Sequence, residues 1–180
     1  MPAPSRTRTH TRTPTRAAAP LPDAARDAAE APARVLRQFR LVFNAVKTHF
    51  QQVEKKAGVG GAQVWALSVV RATPGIGVTE LARRMDIHQT TASNLVRTLV
   101  AAGLLRTERK GADRRTVQLH LEPDAARVLR KAPGPFTGVL PAALAQLDPA
   151  VLQRLETDLT VLLELLQADA RGAGIPLAQM

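Results

Sequence analysis

Between His88 and Leu105 the chain reads HQTTASNLVRTLVAAGLL, with amide, hydroxyl and guanidinium groups crowded into its first half. An arginine can donate two hydrogen bonds to guanine and an asparagine amide can pair with adenine. A threonine offers its methyl to thymine or its hydroxyl to a phosphate. Thr90, Ser93, Asn94 and Arg97 therefore suit the reading of base edges in a DNA groove, and Gln89 and Thr91 join them as candidate contacts. An ordinary solvated helix face is also polar, but such faces lean on Glu and Lys, and this stretch contains neither.

A second charged group lies in GADRRTVQL, residues 111–119, where Asp113, Arg114 and Arg115 follow a glycine. Arginines held out on a hairpin tip reach phosphates and the minor groove, whose width and negative potential they sense. The alternative is a turn that merely solubilises. From Arg71 to Thr116 nine bases face four acids, so +5 of the chain's net +10 falls within about a quarter of its length. Charge neutralisation and counterion release favour a polyanionic partner, and double-stranded DNA fits these groups.

The elements that must hold these groups follow from periodicity. At about 100° per residue, Ala92, Leu95, Val96 and Leu99 fall on one face of a helix, with Thr90, Asn94 and Arg97 nearly opposite and Ser93 beside them. Upstream, residues 60–73 form a helix with Val64, Leu67 and Val70 inward, ended by TPGIG. A further helix starts with Thr79 as its cap and buries Leu81, Ala82 and Met85. Downstream, Gly103 ends the polar helix, and LLRTER and TVQLHL make two strands joined across KGAD. The pattern is a helix-turn-helix followed by a β-hairpin wing.

Two apolar seams flank this middle. Leu36, Phe39, Phe43, Val46, Phe50 and Val53 recur every three or four residues before Gly58. Leu152, Leu155, Leu159, Leu162 and Leu166 do the same after Asp148, a cap, and Pro149, a first-turn residue. Such seams pack within a domain or across a shared dimer interface. The first 32 residues carry Arg6, Arg8, Arg12 and Arg16 but no large apolar periodicity, and read as a disordered basic arm.

Composition excludes several functions. Without cysteine there is no disulfide framework, thiolate zinc site or thiol sensor. The four histidines, His10, His49, His88 and His120, lie in separate segments, and no Gly-rich phosphate loop is present, so neither an enzyme nor a cofactor is expected. The sequence holds no apolar run long enough to span a bilayer and no secretory signal, so a cytoplasmic protein without a membrane partner is expected.

From about residue 33 to 168 the sequence resembles the MarR (multiple antibiotic resistance regulator) transcriptional regulators. The likeness rests on VTELARRMDIHQTTASNLVRTLVAAGLLRTERKGADRRTVQL, which carries their helix-turn-helix, their L-x-x-x-G-L-[LIV]-x-R exit and their D-x-R wing. The resemblance implies a homodimer with interlocked terminal helices beneath two winged lobes, and Thr90, Thr91, Ser93, Asn94 and Arg97 in a recognition helix. Asp113 would orient Arg115 into the minor groove, and Arg109 and Arg114 would contact phosphates. It further implies a repressor on a pseudo-palindromic operator, released by a small aromatic effector. A non-specific DNA-architectural or dimerising adaptor protein is the competing reading. His88 departs from the family by standing where a Ser or Thr cap is usual, and Glu122 and Ala125 depart likewise after the wing.

The expected fold is mainly α with a small β-hairpin wing (α+β). Its parts are an arm (1–32), an N-terminal dimerisation helix (33–58), a winged helix-turn-helix domain (59–121), C-terminal dimerisation helices (122–168) and a flexible tail (169–180). Pro133, Gly134, Pro135, Gly138 and Pro141 should break the C-terminal helices near 133–141.

Overall fold

A computed structural model describes residues 23–109 and 117–179. The basic arm before Asp23 and the wing-tip candidates Asp113, Arg114 and Arg115 lie outside the described residues. The chain divides into two units, residues 1–38 and 39–180, and helix α1 (Asp23–Ala57) contributes to both. In the first unit the helix begins at Asp23, so residues 23–32 are helical and do not belong to a disordered arm. These residues are alanine-rich, and alanine's high helix propensity carries a helix where no core-facing stripe exists. Arg34 and Asp27 pair across two of its turns at 3.0 Å.

In the second unit α1 ends at Ala57, and Gly58 follows with φ +75°, a left-handed conformation that suits glycine. Along the seam of α1, Phe43 is exposed, Val46 and Phe50 are half-buried and Val53 is fully buried. The helix therefore anchors its last turns in the core.

The core lies between α2 (Gly61–Ala72), α3 (Val78–Met85), α4 (Gln89–Ala101) and a two-stranded sheet. Val64, Leu67 and Val70 of α2, Leu81 and Met85 of α3 and Leu99 of α4 are all buried in it. Helix α3 starts at Val78 with Gly77 as its cap, two residues before the cap expected at Thr79. Strands β1 (Leu105–Arg109) and β2 (Val117–Leu121) pair antiparallel, from Leu105 opposite Leu121 to Arg109 opposite Val117. Residues 75–77 line the other side of β2. Gly75 donates to the Leu119 carbonyl at 2.9 Å, the Leu119 N–H donates to the Ile76 carbonyl at 3.0 Å, and Gly77 bridges to Gln118. The loop between α2 and α3 thus ties the wing to the helices.

After the sheet, α5 (Pro123–Lys131) opens with Pro123 in its first turn and buries Ala125 and Leu129. The expected break follows. Helix α6 (Val139–Leu144) is short and holds Pro141 in its first turn, where a missing N–H costs no intrahelical bond. Helix α7 (Pro149–Leu165) is capped by Asp148, whose carboxylate accepts from the Ala150 N–H at 2.8 Å. The segment after 169 is not a free tail: it forms two short 3₁₀ turns, Ala170–Gly174 and Leu177–Gln179, with Pro176 buried and Ala178 against the core.

Candidate nucleic-acid interface

Helix α4 carries the candidate base readers, and its inner face settles their direction. Ala92, Leu95, Val96 and Leu99 are buried, which leaves Gln89, Thr90, Ser93, Asn94 and Arg97 exposed and Thr91 half-buried. The turn from α3 into α4 passes through Asp86 at φ +50°, a left-handed position that Asp tolerates better than most residues. The Ile87 N–H then closes on the Ala82 carbonyl at 3.1 Å. Two short helices are thereby set at a fixed angle on a common core.

Hydrogen bonds along α4 further restrict the readers. An Arg97 guanidinium nitrogen donates to Asn94 Oδ1 at 2.6 Å, so the two are linked as a pair whose amide NH₂ remains available. The Ser93 hydroxyl donates back to the Gln89 carbonyl at 2.8 Å, keeping only its acceptor capacity outward. Gln89 Nε2 donates to Thr79 Oγ1 at 3.2 Å, linking the starts of the two helices. Sequence reading missed Thr79 in this role, because a contact ten residues apart has no periodic signature.

His88 caps α4 through its backbone conformation alone; its side chain accepts no capping bond. Its N–H donates to the Gly174 carbonyl at 3.2 Å, a contact that no local pattern signals.

The cations around the helix pair are not equivalent. Arg83 and Arg84 both bind Glu80: Arg83 in a two-pronged arrangement with N–O distances of 2.7 and 2.6 Å, Arg84 at 2.9 Å. These bonds, Arg83's first, hold the Glu80 carboxyl at about 2 and push the Arg83 guanidinium above its ordinary value. Arg84 also donates to Thr73 Oγ1 at 2.7 Å. On the wing, Arg106 pairs with Glu108 at 3.1 Å and reaches Glu122 at 3.8 Å. Exposed Arg109, at the end of β1, makes no ion pair among the described residues. Among the described residues, neither its charge nor that of Arg97 meets a carboxylate.

Beside the interface, Phe50 and Trp65 line an apolar cavity of about 40 Å³ with Gly61, Gly138, Pro176 and Leu177. That is room for roughly one to three waters and far less than the few hundred Å³ of a typical ligand pocket. Among the described residues no group of three or more His, Asp or Glu stands where it could hold a metal, and no helix is long and apolar enough to cross a membrane.

Residues 57–116 match the model of the MarR family. That matched segment is one third of the chain, and with the helix-turn-helix and the hairpin it forms a winged helix similar to that of the MarR family, as the resemblance in sequence implied. The S. aureus MepR–DNA complex is similar in fold, at 19% identity and a TM-score of 0.50, over 72% of this chain and 94% of that one. The transcriptional regulator BldR from Sulfolobus solfataricus (20% identity, TM-score 0.48) is matched over 73% of this chain and 96% of its own. The YusO protein from Bacillus subtilis (18%, 0.48) is matched over 79% and 99%. No curated protein matches the chain.

Proposed function

We propose that the protein is a homodimeric repressor that reads a pseudo-palindromic operator in double-stranded DNA. The single observation that carries the reading is α4: an exposed row of Gln89, Thr90, Ser93, Asn94 and Arg97, held outward by four buried apolar residues on the second helix of a helix-turn-helix. Asn94 and Arg97 act as the base-reading pair, Thr90, Thr91 and Ser93 offer hydroxyls to phosphates or base edges, and Gln89 contacts the backbone. On the wing, Arg109 and Arg114 contact phosphates, while Asp113 orients Arg115 into the minor groove.

Dimerisation draws support from apolar surface left open. Leu41 is 70% exposed and Phe43 63% on α1, and Leu165 is 79% exposed on α7 beside Val161, Leu163 and Leu166. Surface of this kind on a single chain marks an interaction site. A small aromatic effector, if it uses the Phe50–Trp65 cavity, has to widen it, and that coupling of shape to occupancy is how it would release DNA.

Selection of binding sites from random DNA tests the reading. A consensus with two-fold symmetry is expected. Binding without enrichment would point to a non-specific architectural protein, and no binding at all would remove DNA from the account.

A further inference from the structure

The C-terminal segment touches two places at once. At one end, the Gly174 carbonyl accepts the His88 N–H at 3.2 Å, at the start of α4. The backbone there approaches the imidazole closely: a Cβ added to Gly174 would sit 2.4 Å from His88 Cδ2 and 2.8 Å from its Cγ. At the other end, Pro176 is buried, and Pro176, Leu177 and Ala178 close the cavity that Phe50 and Trp65 line. Ala178 also stands with Gln63, Asn94 and Thr98 around a second cleft, on the flank of the proposed base-reading pair.

Resting on the DNA reading above, we propose that residues 170–179 are an autoinhibitory strap, so that strap docking and DNA binding exclude each other. The start of a groove-reading helix is where a phosphate approaches, drawn by unpaired N–H groups and the positive end of the helix dipole. Here a carbonyl of the same chain occupies the N–H of the cap residue, and its backbone packs close to one side of the exposed imidazole. A DNA strand cannot lie on that surface while the strap does. The strap also links the cavity to α4, since whatever holds Pro176 and Leu177 in place also holds Gly174 on His88.

The chain has no cysteine, so one engineered pair is unambiguous. His88→Cys with Gly174→Cys places a sulfur near His88 Cγ, 2.8 Å from the new Cβ, which suits a disulfide. The probe is a fluorescein-labelled 30-bp duplex of mixed sequence, bound at low salt by the oxidised and reduced forms of this variant and by the unsubstituted chain. The oxidised form should bind about tenfold more weakly than the reduced form. Trp65, the only tryptophan, gives a second signal: its emission should shift on DNA binding in the reduced form and stay unchanged in the oxidised form. Equal affinity of oxidised and reduced forms would overturn the strap. Failure of the unsubstituted chain to bind would instead overturn the DNA reading beneath it.

Discussion

The bond from Arg97 to Asn94 Oδ1 makes the two residues a unit before any DNA arrives. The guanidinium holds the amide in one orientation, so ordering costs less when it meets a base. Asn94→Ala and Arg97→Ala should each weaken operator binding by about 1–3 kcal/mol and relax choice at inner base pairs. The double variant should lose less than the two singles together, with a coupling of roughly 0.5–3 kcal/mol by a titration cycle. Strict additivity would mean that the pair separates on DNA. On the wing, Arg115→Ala should reduce preference for A·T-rich flanks, whereas Arg114→Ala should weaken all sequences alike and lower the salt slope by about one. Unchanged flank preference in Arg115→Ala would remove the minor-groove contact from the mechanism.

Glu80 sets a pH dependence at the same scale. Its carboxyl is held at about 2 against an ordinary 4.5, so its bonds to Arg83 and Arg84 stabilise the fold fully above pH 4.5. That contribution fades as the pH falls toward about 2, where the carboxylate takes its proton. Glu80→Gln should unfold more easily than the parent at neutral pH, and the difference should close in acid. A gap that persists at pH 2, followed by urea melts, would contradict this origin.

At the scale of elements, the junction of α1 and α2 depends on one close approach. A Cβ on Gly61 would lie 2.4 and 2.6 Å from the Phe50 ring and 3.2 Å from Ala178 Cβ. Gly61→Ala must push the half-buried ring aside, a strain of about 1–3 kcal/mol. Alanine's helix propensity offsets at most about 1 kcal/mol of it. Net destabilisation is expected in thermal melts, together with altered Trp65 emission, because ring and indole line one cavity. A more stable variant would show that α1 yields without resistance. The wing is tied in a different way, through residues 75–77 on β2, so its base moves with α2 and α3.

For the whole molecule, the dimer proposal rests on the exposed apolar rows of α1 and α7. Sedimentation should give about twice 19.3 kDa. Phe43→Asp replaces a 63% exposed side chain, so folding should survive while the dimer weakens. A well-folded monomer of the parent chain at micromolar concentration would end the dimer proposal. Deleting residues 1–22 removes Arg6, Arg8, Arg12 and Arg16, and should weaken binding to every duplex about equally while flattening its salt dependence. A changed consensus after that deletion would mean that the arm reads sequence.

What the sequence determined by itself was local and repetitive. The period of α4 chose its buried and exposed faces, and Gly58 and Gly103 ended helices by their left-handed backbones. Asp148 and Pro149 began α7, and the prolines after 132 interrupted the C-terminal helices. Each of these effects acts within a few residues, through periodicity, dihedral limits or a missing N–H. The start of α1 at Asp23 was also local, but alanine propensity carried it where a search for apolar stripes sees only a tail. Tertiary structure alone decided the rest: Gln89 on Thr79, residues 75–77 beside β2, and above all the C-terminal segment folded back on His88 and the Phe50–Trp65 cavity. Those contacts join residues distant along the chain, and their energy comes from a shared core and from backbone groups that every residue carries. No residue type or spacing announces them, because a carbonyl at Gly174 looks like any other until the fold brings it to an N–H that lacks a partner.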